Sequence, residues 1–191
     1  MAKLFFKYGT MGSSKTAQAI MCHYRYQEAC KGTNKKVIFC KSSIDKRDGE
    51  RVSASRIGLK IENIPFVSEV LQYSEKELKN TMAIIVDEAQ FASKQQIDKL
   101  SDICDDMDIP VICYGLKTDF LGNFFPGSER LLQIADKCEE IKHVCACGKK
   151  ALFNARVDKD GNIVKKGSQI ELGGDERYVA LCRKCYKLGT I

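Results

Sequence analysis

Several features that define other classes of protein are missing from this chain of 191 residues. No apolar stretch approaches the roughly 20 residues of a membrane-spanning helix, so we predict no membrane span. Lys3 and Lys7 interrupt the apolar segment near the amino terminus, so we expect no secretory signal. The sequence also lacks internal repeats and low-complexity tracts, and its 44% apolar fraction is that of a globular protein.

Cysteine is abundant, with ten residues. Without an export signal, we expect thiols or metal ligands in a reducing cytoplasm and no disulfides. Six of these cysteines are scattered among apolar neighbours and are predicted to act as small buried hydrophobes: Cys22, Cys30, Cys40, Cys104, Cys113 and Cys138.

The chain has a formal net charge of +6 and a pI of about 8.7. This charge favours anionic ligands such as nucleotides. The lysines are spread along the sequence without forming a continuous basic face, so nucleic acid is not an expected partner.

The pattern of apolar segments predicts one α/β domain, placed at residues 1–142, and a smaller domain at 143–191. Strands are predicted at 3–8, 35–41, 81–91 and 110–116, and helices at about 15–31, 94–107 and 129–140. Because strands and helices alternate, we expect a mainly parallel sheet covered on both faces. The smaller domain is predicted to hold a hairpin at Asp160–Gly161 and a bend at Gly173–Gly174.

The segment GTMGSSKT, residues 9–16, resembles a phosphate-binding loop. Gly9, Lys15 and Thr16 fit the pattern Gly-x4-Gly-Lys-Ser/Thr, whereas Ser14 replaces the second glycine. In such a loop backbone amides hold a polyphosphate, the lysine meets the β- and γ-phosphates, and the hydroxyl binds Mg²⁺. The alternative is a strand-to-helix turn of small residues, and the strand before and helix after the segment favour the phosphate loop.

The strand within residues 81–91 stops at Asp87 and Glu88. Following a phosphate loop, such an aspartate is typical of the second Mg²⁺-organising element of nucleotide hydrolases and kinases. Glu88 could then act as a general base, although a water-positioning carboxylate of an ATPase and a surface carboxylate are alternatives.

Two cysteine pairs lie near the carboxyl terminus, Cys145 with Cys147 and Cys182 with Cys185. The chain between the pairs can loop out and return, so the four thiolates are predicted to bind a structural Zn²⁺. The alternatives are four unrelated thiols, or His143 in place of one cysteine. The intervening segment could form a lid, and aromatic residues could stack on a nucleobase, or pack in the core instead: Phe91, Phe120, Phe124, Phe125 and Tyr178.

Taken together, these segments resemble the zinc-containing thymidine kinases of the type shared by bacteria and the animal cytosol. The resemblance covers nearly the whole chain and rests on KLFFKYGTMGSSKT, VSASRIGL, VDEAQF, DIPVICYGLKTDFLGNFFPGS, the CxCG element and GGDERYVALCRKCY. It implies a P-loop NTPase (RecA-like) α/β fold with a small zinc-binding domain that carries a lasso loop. It also implies transfer of the γ-phosphate of ATP, with Mg²⁺, to thymidine, giving thymidine monophosphate.

The resemblance further implies roles for individual residues. Glu88 is the expected catalytic base, and the zinc ligands are the four paired cysteines. The expected ATP and Mg²⁺ contacts are Gly9, Thr10, Met11, Gly12, Ser13, Ser14, Lys15, Thr16, Arg47, Asp87, Glu88, Ala89 and Gln90. The expected thymidine contacts are Met11, Phe91, Phe120 and Tyr178.

Family members are commonly cytoplasmic homotetramers that serve nucleotide salvage for DNA synthesis and are inhibited by thymidine triphosphate (dTTP), which we expect here too. Ser14 departs from the family pattern, and we expect it to be tolerated because the charged partners remain. The sequence leaves two alternative functions open. One is a P-loop ATPase whose zinc module binds nucleic acid, and the other is a nucleotide-binding regulator with weakened kinase activity.

Overall fold

A computed structural model describes residues 1–169 and 178–189 of the chain. Its main element is a five-stranded sheet in the order β2-β5-β6-β1-β7, and every neighbouring pair of strands is parallel. The strands are β1 (Leu4–Tyr8), β2 (Lys36–Lys41), β5 (Thr81–Asp87), β6 (Val111–Gly115) and β7 (Lys137–Glu140). The parallel order brings the carboxyl ends of the strands to one edge of the sheet, where ligands bind in folds of this kind.

Helices cover both faces of this sheet. The long helix α1 (Lys15–Cys30) packs on one face, and α4 (Lys94–Met107) and α5 (Pro126–Ile134) pack on the other, with short helices α2 (Val67–Val70) and α3 (Glu75–Leu78) before β5. Side chains along β5 alternate between the two faces: Ile84 joins the cluster with Leu100 of α4, and Ile85 joins the cluster with Ala19 of α1. The predicted parallel fold is confirmed.

Two antiparallel hairpins lie outside the main sheet. Strands β3 (Val52–Ala54) and β4 (Lys60–Glu62) form the first, within and just after a segment that gave no strand signal in the sequence. Strands β8 (Phe153–Arg156) and β9 (Tyr178–Leu181) form the second, which packs with α6 (Arg183–Leu188) around a separate small core.

The turn predicted at Asp160–Gly161 is present, since Val157 and Ile163 form an antiparallel bridge across it. The bend predicted at Gly173–Gly174 lies outside the described residues, and the boundary at 142/143 stays a prediction. Within the described part of the chain, the helices are too short or too polar to cross a membrane.

Two predictions about the region after β6 are wrong. The helix predicted at 129–140 begins at Pro126 and ends at Ile134, and residues 137–140 form the edge strand β7 beside β1. The carboxylate of Asp136 accepts a hydrogen bond from the Leu4 amide at 2.7 Å, which fixes the chain beside β1. Cys138 on this edge strand is exposed, unlike the buried thiol that we predicted.

The amino end of α5 packs directly on the turn that follows β5. A Cβ atom added to Gly127 would lie 2.5 Å from the Ala89 carbonyl oxygen and 2.6 Å from that of Ala92. Only a residue without a side chain can approach the backbone so closely. The contact therefore supports the turn that carries Glu88.

We predict that Gly127→Ala lowers the free energy of unfolding by about 1–3 kcal/mol, because the added methyl must push α5 away from this turn. Denaturant unfolding measures the loss. Glu129→Ala on the same helix is the control, since Glu129 forms a surface ion pair with Lys94, and such a pair contributes little. Equal stability of the two variants would contradict the prediction.

Candidate active site

The segment at residues 9–16 forms a closed loop between β1 and α1. The Ser13 amide donates a hydrogen bond to the Thr10 carbonyl at 3.2 Å, and the Gly9 amide donates to the Gly115 carbonyl at 3.3 Å. A Cβ atom on Gly9 would lie 2.6 Å from the Ile141 carbonyl oxygen, so glycine is required there. The hydroxyl of Ser13 is buried without a hydrogen-bond partner among the described residues, and it lies 2.4 Å from the position of a Cβ atom on Gly9.

Ser14 lies in the left-handed region of backbone space, with φ 63° and ψ 22°. A second glycine at this position would adopt this conformation at no steric cost, whereas a residue with a Cβ pays about 1–2 kcal/mol. The Ser14 hydroxyl donates to the Ser13 carbonyl at 2.6 Å and accepts from the Gln18 side chain at 3.2 Å. The loop therefore adopts its closed conformation with serine at residue 14, and the backbone of that residue is strained.

Lys15 is buried, and its amine donates a hydrogen bond to the Thr10 carbonyl of its own loop at 2.7 Å. Burial lowers the pKa of Lys15 to about 8, although the nearby carboxylates of Glu88 and Asp87 favour the protonated amine. A bound polyphosphate would add negative charge beside the amine of Lys15 and so stabilise its protonated form.

Asp87 ends β5 with a fully buried carboxylate. Its Oδ2 atom accepts a hydrogen bond from the Ser53 hydroxyl at 2.5 Å, and its Oδ1 atom lies 3.5 Å from the Thr16 hydroxyl. Burial, followed by the charge of Glu88, raises the pKa of Asp87 to about 6. Asp87 and Thr16 thus place oxygen atoms side by side, in a position where a cation would relieve the cost of burying the carboxylate.

Glu88 follows at once, with its backbone in the left-handed region at φ 51° and ψ 38°. Its amide donates to Asp87 Oδ1 at 3.0 Å, which holds this strained turn. Its Oε1 atom accepts from Arg47 Nη2 at 2.6 Å, and its Oε2 atom accepts from the buried side chain of Gln90. Both oxygens of Glu88 thus have partners other than the Asp87 carboxylate. Ala89 and Gln90 are buried in the turn that follows.

Arg47 is held by two carboxylates, because its Nε atom also donates to Asp45 Oδ1 at 2.7 Å. Asp45 lies 3.7 Å from the fully buried amine of Lys41, which donates to the carbonyls of Gly49 and Val52. Arg47 lines the cavity over the phosphate loop, and in the free protein it pairs with Glu88 and Asp45.

Two cavities meet at Glu88. One, of about 250 Å³, lies over the loop at 9–16 and contains Lys15, Thr16 and Asp87 in its wall. The other, of about 60 Å³, is lined by aromatic residues, and the described part of its wall includes Phe91, Phe120 and Tyr178. The residues that line both cavities are Met11, Asp45, Arg47, Glu88 and Leu116. Eight of the residues predicted to contact ATP and Mg²⁺ line the first cavity: Met11, Gly12, Ser14, Lys15, Thr16, Arg47, Asp87 and Glu88. The four predicted thymidine contacts line the second cavity, together with Gln90. The described wall of neither cavity includes Gly9, Thr10, Ser13 or Ala89.

Comparison of the sequence with known protein families identifies the family of this chain. A sequence model of thymidine kinase matches residues 2–186 of the chain. The chain belongs to the thymidine kinase family.

Curated relatives agree with this membership. The chain is 42% identical to the thymidine kinase of Rhodopirellula baltica over 98% of its length and 89% of the relative. It is 44% identical to that of Zymomonas mobilis over 96% of its length and 95% of the relative. The crystal structure of Candida albicans Pif1 helicase is similar at a TM-score of 0.42 and 14% identity, over 74% of this chain and 36% of that one, which is too loose to bear on function.

Four cysteines meet in the small carboxyl-terminal unit of this thymidine kinase family member. The sulfur atoms of Cys145, Cys147, Cys182 and Cys185 all lie within 4.8 Å of one another. His143, the alternative ligand, lies apart from this cluster, and its Nδ1 atom lies 3.2 Å from the Thr10 hydroxyl beside the phosphate loop. His23 packs edge-on against Phe39, as a packing residue would.

Several polar residues of the site were missed in the sequence because they lie in ordinary strands and turns. Asn154 on β8 accepts a hydrogen bond from the Met11 amide at 2.7 Å and donates to the Thr118 carbonyl at 3.1 Å. Arg156, two residues on, lies 3.9 Å over the ring of Phe120 and donates to the Tyr178 hydroxyl at 3.1 Å. No local signal in the sequence marks these residues, since their partners lie far away along the chain.

We predict that Ser14→Gly is at least as stable as the wild type and that Ser14→Ala is the least stable of the three. Alanine keeps the strain of the left-handed backbone and loses both hydroxyl contacts, so Ser14→Ala should fall about 1 kcal/mol below Ser14→Gly. Chemical denaturation of the three proteins measures the order. Equal stability of the alanine and glycine variants would show that residue 14 is not strained.

We predict that ATP affinity decreases above about pH 8. Only the protonated amine of Lys15 can pair with phosphate, so above its lowered pKa the free protein must take up a proton to bind ATP. Affinity should be level just below that pH and then fall about tenfold per pH unit above it. Calorimetric titration from about pH 7 to about pH 9.5 measures the change.

Lys15→Arg is the control for this experiment, because the guanidinium stays charged throughout the range. Its affinity, although lower overall, should not decline above pH 8. A wild-type affinity that stays level over the whole range, or an equal decline in the arginine variant, would contradict the assignment to Lys15.

Proposed function

We propose that the protein transfers the γ-phosphoryl group of ATP to the 5′-hydroxyl of thymidine and releases thymidine monophosphate and ADP. The observation that carries the proposal is the position of Glu88, whose side chain lines both the cavity over the phosphate loop and the aromatic cavity. Family membership supports thymidine as the nucleoside. These sequence matches favour a thymidine kinase over an ATPase whose zinc module binds nucleic acid, and over a regulator that binds nucleotide without transferring phosphate.

The aromatic cavity is the proposed thymidine site. The rings of Phe91, Phe120 and Tyr178 line it, and Met11 closes the side next to the phosphate loop. Flat apolar rings suit a nucleobase, which stacks on them. With the base held there, the sugar would lie toward Glu88 and the phosphate loop.

The loop at 9–16 is the proposed site of the ATP phosphates. Its backbone amides and the amine of Lys15 would hold the transferring phosphoryl group by positioning and charge. Glu88 would accept the proton of the attacking hydroxyl as the new bond to phosphorus forms. For Glu88 to do so, one of its carboxylate oxygens must give up its hydrogen bond with Arg47 or Gln90 and accept one from the substrate hydroxyl.

Thr16 and Asp87 fit a magnesium ion. Their oxygen atoms lie 3.5 Å apart, and the two oxygens of the buried Asp87 carboxylate accept hydrogen bonds from hydroxyl and amide donors. Oxygen ligands of this kind are those that Mg²⁺ prefers. When bound, the ion would neutralise charge on the phosphates.

The four clustered cysteines fit a structural zinc ion, because four thiolates at this spacing make a closed tetrahedral site without an open position for chemistry. Cys182 also caps α6, accepting from the Cys185 amide at 3.5 Å. The ion would fix the hairpin of β8 and β9, which carries Asn154, Arg156 and Tyr178. The expected lid also lies in this unit, partly outside the described residues.

The wider setting is part of the proposal and rests on the family resemblance. We expect a cytoplasmic homotetramer that serves nucleotide salvage for DNA synthesis and is inhibited by dTTP, the end product of the route that thymidine monophosphate enters.

The proposal predicts ADP formation that depends on thymidine, with thymidine 5′-monophosphate as the second product. Glu88→Gln should lower turnover by about 10²–10⁴-fold, because the amide cannot accept the proton. Coupled ADP detection and chromatographic identification of the product measure both results.

Glu62→Gln is the control, since Glu62 pairs with Lys60 on the exposed strand β4 and should turn over like the wild type. Adding single-stranded DNA in place of thymidine tests the ATPase alternative. ADP formation that DNA stimulates and thymidine does not, or an unchanged Glu88→Gln, would overturn the proposal.

A further inference from the structure

The hairpin of β3 and β4 reaches over the phosphate loop from the opposite side of the cavity. It is anchored at its base, where Ser53 donates to Asp87 Oδ2 at 2.5 Å and the Ala54 amide donates to Asp48 at 3.3 Å. The buried amine of Lys41 also donates to the Val52 carbonyl at 2.7 Å. These three hydrogen bonds fix the position of the hairpin relative to the cavity. The hairpin carries the whole motif VSASRIGL, residues 52–59, to which the proposed mechanism gives no role.

The tip of this hairpin is a tight turn over residues 55–59. The Ser55 amide donates to the Leu59 carbonyl at 2.8 Å, and the Leu59 amide donates back to the Ser55 hydroxyl at 3.0 Å. Arg56 is the second residue of the turn and lines the phosphate cavity. Its Nη1 atom lies 3.8 Å from the position of a Cβ atom on Gly12, in the middle of the phosphate loop.

Three cations line the phosphate cavity, and each comes from a different segment of the chain: Lys15, Arg47 and Arg56. Arg47 is committed to the carboxylates of Asp45 and Glu88 in the free protein. Lys15 approaches from within the loop and Arg56 from the hairpin above it, so the two cations face the loop from different sides. Burial is the main reason that the pKa values of Lys15 and His143 are lowered, and the nearby positive charge of Arg56 lowers both further.

We infer that Arg56 is a substrate-binding residue that contacts the β- and γ-phosphates of the nucleotide donor. The inference rests on the proposed phosphoryl transfer, and it assigns to Arg56 a phosphate contact of the kind that the family resemblance implies for Arg47. A guanidinium offers several donors in one plane and suits phosphate oxygens better than an amine does.

Charge during the reaction explains what this contact contributes. The bond between the γ-phosphorus and the β–γ bridging oxygen breaks, and the oxygen keeps the electron pair as ADP leaves. The nucleoside hydroxyl oxygen forms the new bond to phosphorus, and its proton passes to Glu88. Arg56, beside the middle of the loop, stabilises the charge that grows on the departing oxygen and on the phosphoryl group.

The test compares Arg56→Gln with Arg51→Gln. Arg51 lies just before β3 and pairs with Glu69 outside the cavity, so it is a matched arginine of the same segment. We expect Arg56→Gln to lower kcat/KM for ATP by about 10–100-fold, the size of a lost charge-assisted hydrogen bond, with KM for thymidine unchanged. Arg51→Gln should behave like the wild type, and Arg56→Lys should recover part of the loss.

Calorimetric binding keeps this test separate from the test of the kinase itself. Arg56→Gln should weaken ATP binding and leave AMP binding unchanged, because AMP lacks the β- and γ-phosphates. A wild type that binds ATP but forms no thymidine monophosphate would count against the proposed function, and the binding comparison would still test Arg56. The inference is overturned if Arg56→Gln matches Arg51→Gln in ATP affinity and turnover, or if it loses ATP and AMP affinity equally along with thermal stability.

Discussion

The buried carboxylate of Asp87 is the interaction on which the arrangement of the site depends. Its two oxygens are shared among three segments that lie far apart in the chain: the start of α1 through Thr16, the first hairpin through Ser53, and the turn after β5 through the Glu88 amide. A carboxylate in a dry position is stable only when such donors, or a cation, surround it. The need to satisfy Asp87 therefore brings the phosphate loop, the hairpin and Glu88 to one point.

The same need accounts for the strain and the buried charges nearby. Glu88 holds a left-handed backbone because its amide is fixed by Asp87, and its side chain is consequently turned toward Arg47. Arg47, Asp45 and Lys41 continue the line of alternating charges into the protein. Asp45 is buried, which opposes its ionisation, yet the hydrogen bond and charge of Arg47 hold the pKa of Asp45 below its usual value. Such strained and charged positions are retained where function requires them.

The local patterns of the sequence predict the parallel sheet, the phosphate loop and Asp87 at a strand end, because each depends on a short run of residues. The edge strand β7 escapes prediction because residues 137–140 have helical composition, and only pairing with β1 makes them a strand. Ser53, Lys41 and Asn154 escape for a related reason. Each is an ordinary polar residue in its own strand, and its role comes from partners that the fold brings near.

Asn154 shows why the small carboxyl-terminal unit belongs to the mechanism. The buried side-chain amide of Asn154 is hydrogen-bonded to Met11 in the phosphate loop and to Thr118, which lines the aromatic cavity. One side chain therefore contacts both halves of the site. Arg156 lies two residues further along the same short strand, β8, and contacts the ring of Phe120 in the aromatic cavity. Ala155, between them, packs in one small core with Cys145 and Cys182. A single strand therefore connects the cysteine cluster to the phosphate loop and to the aromatic cavity, and the packing around the cysteines positions side chains in both.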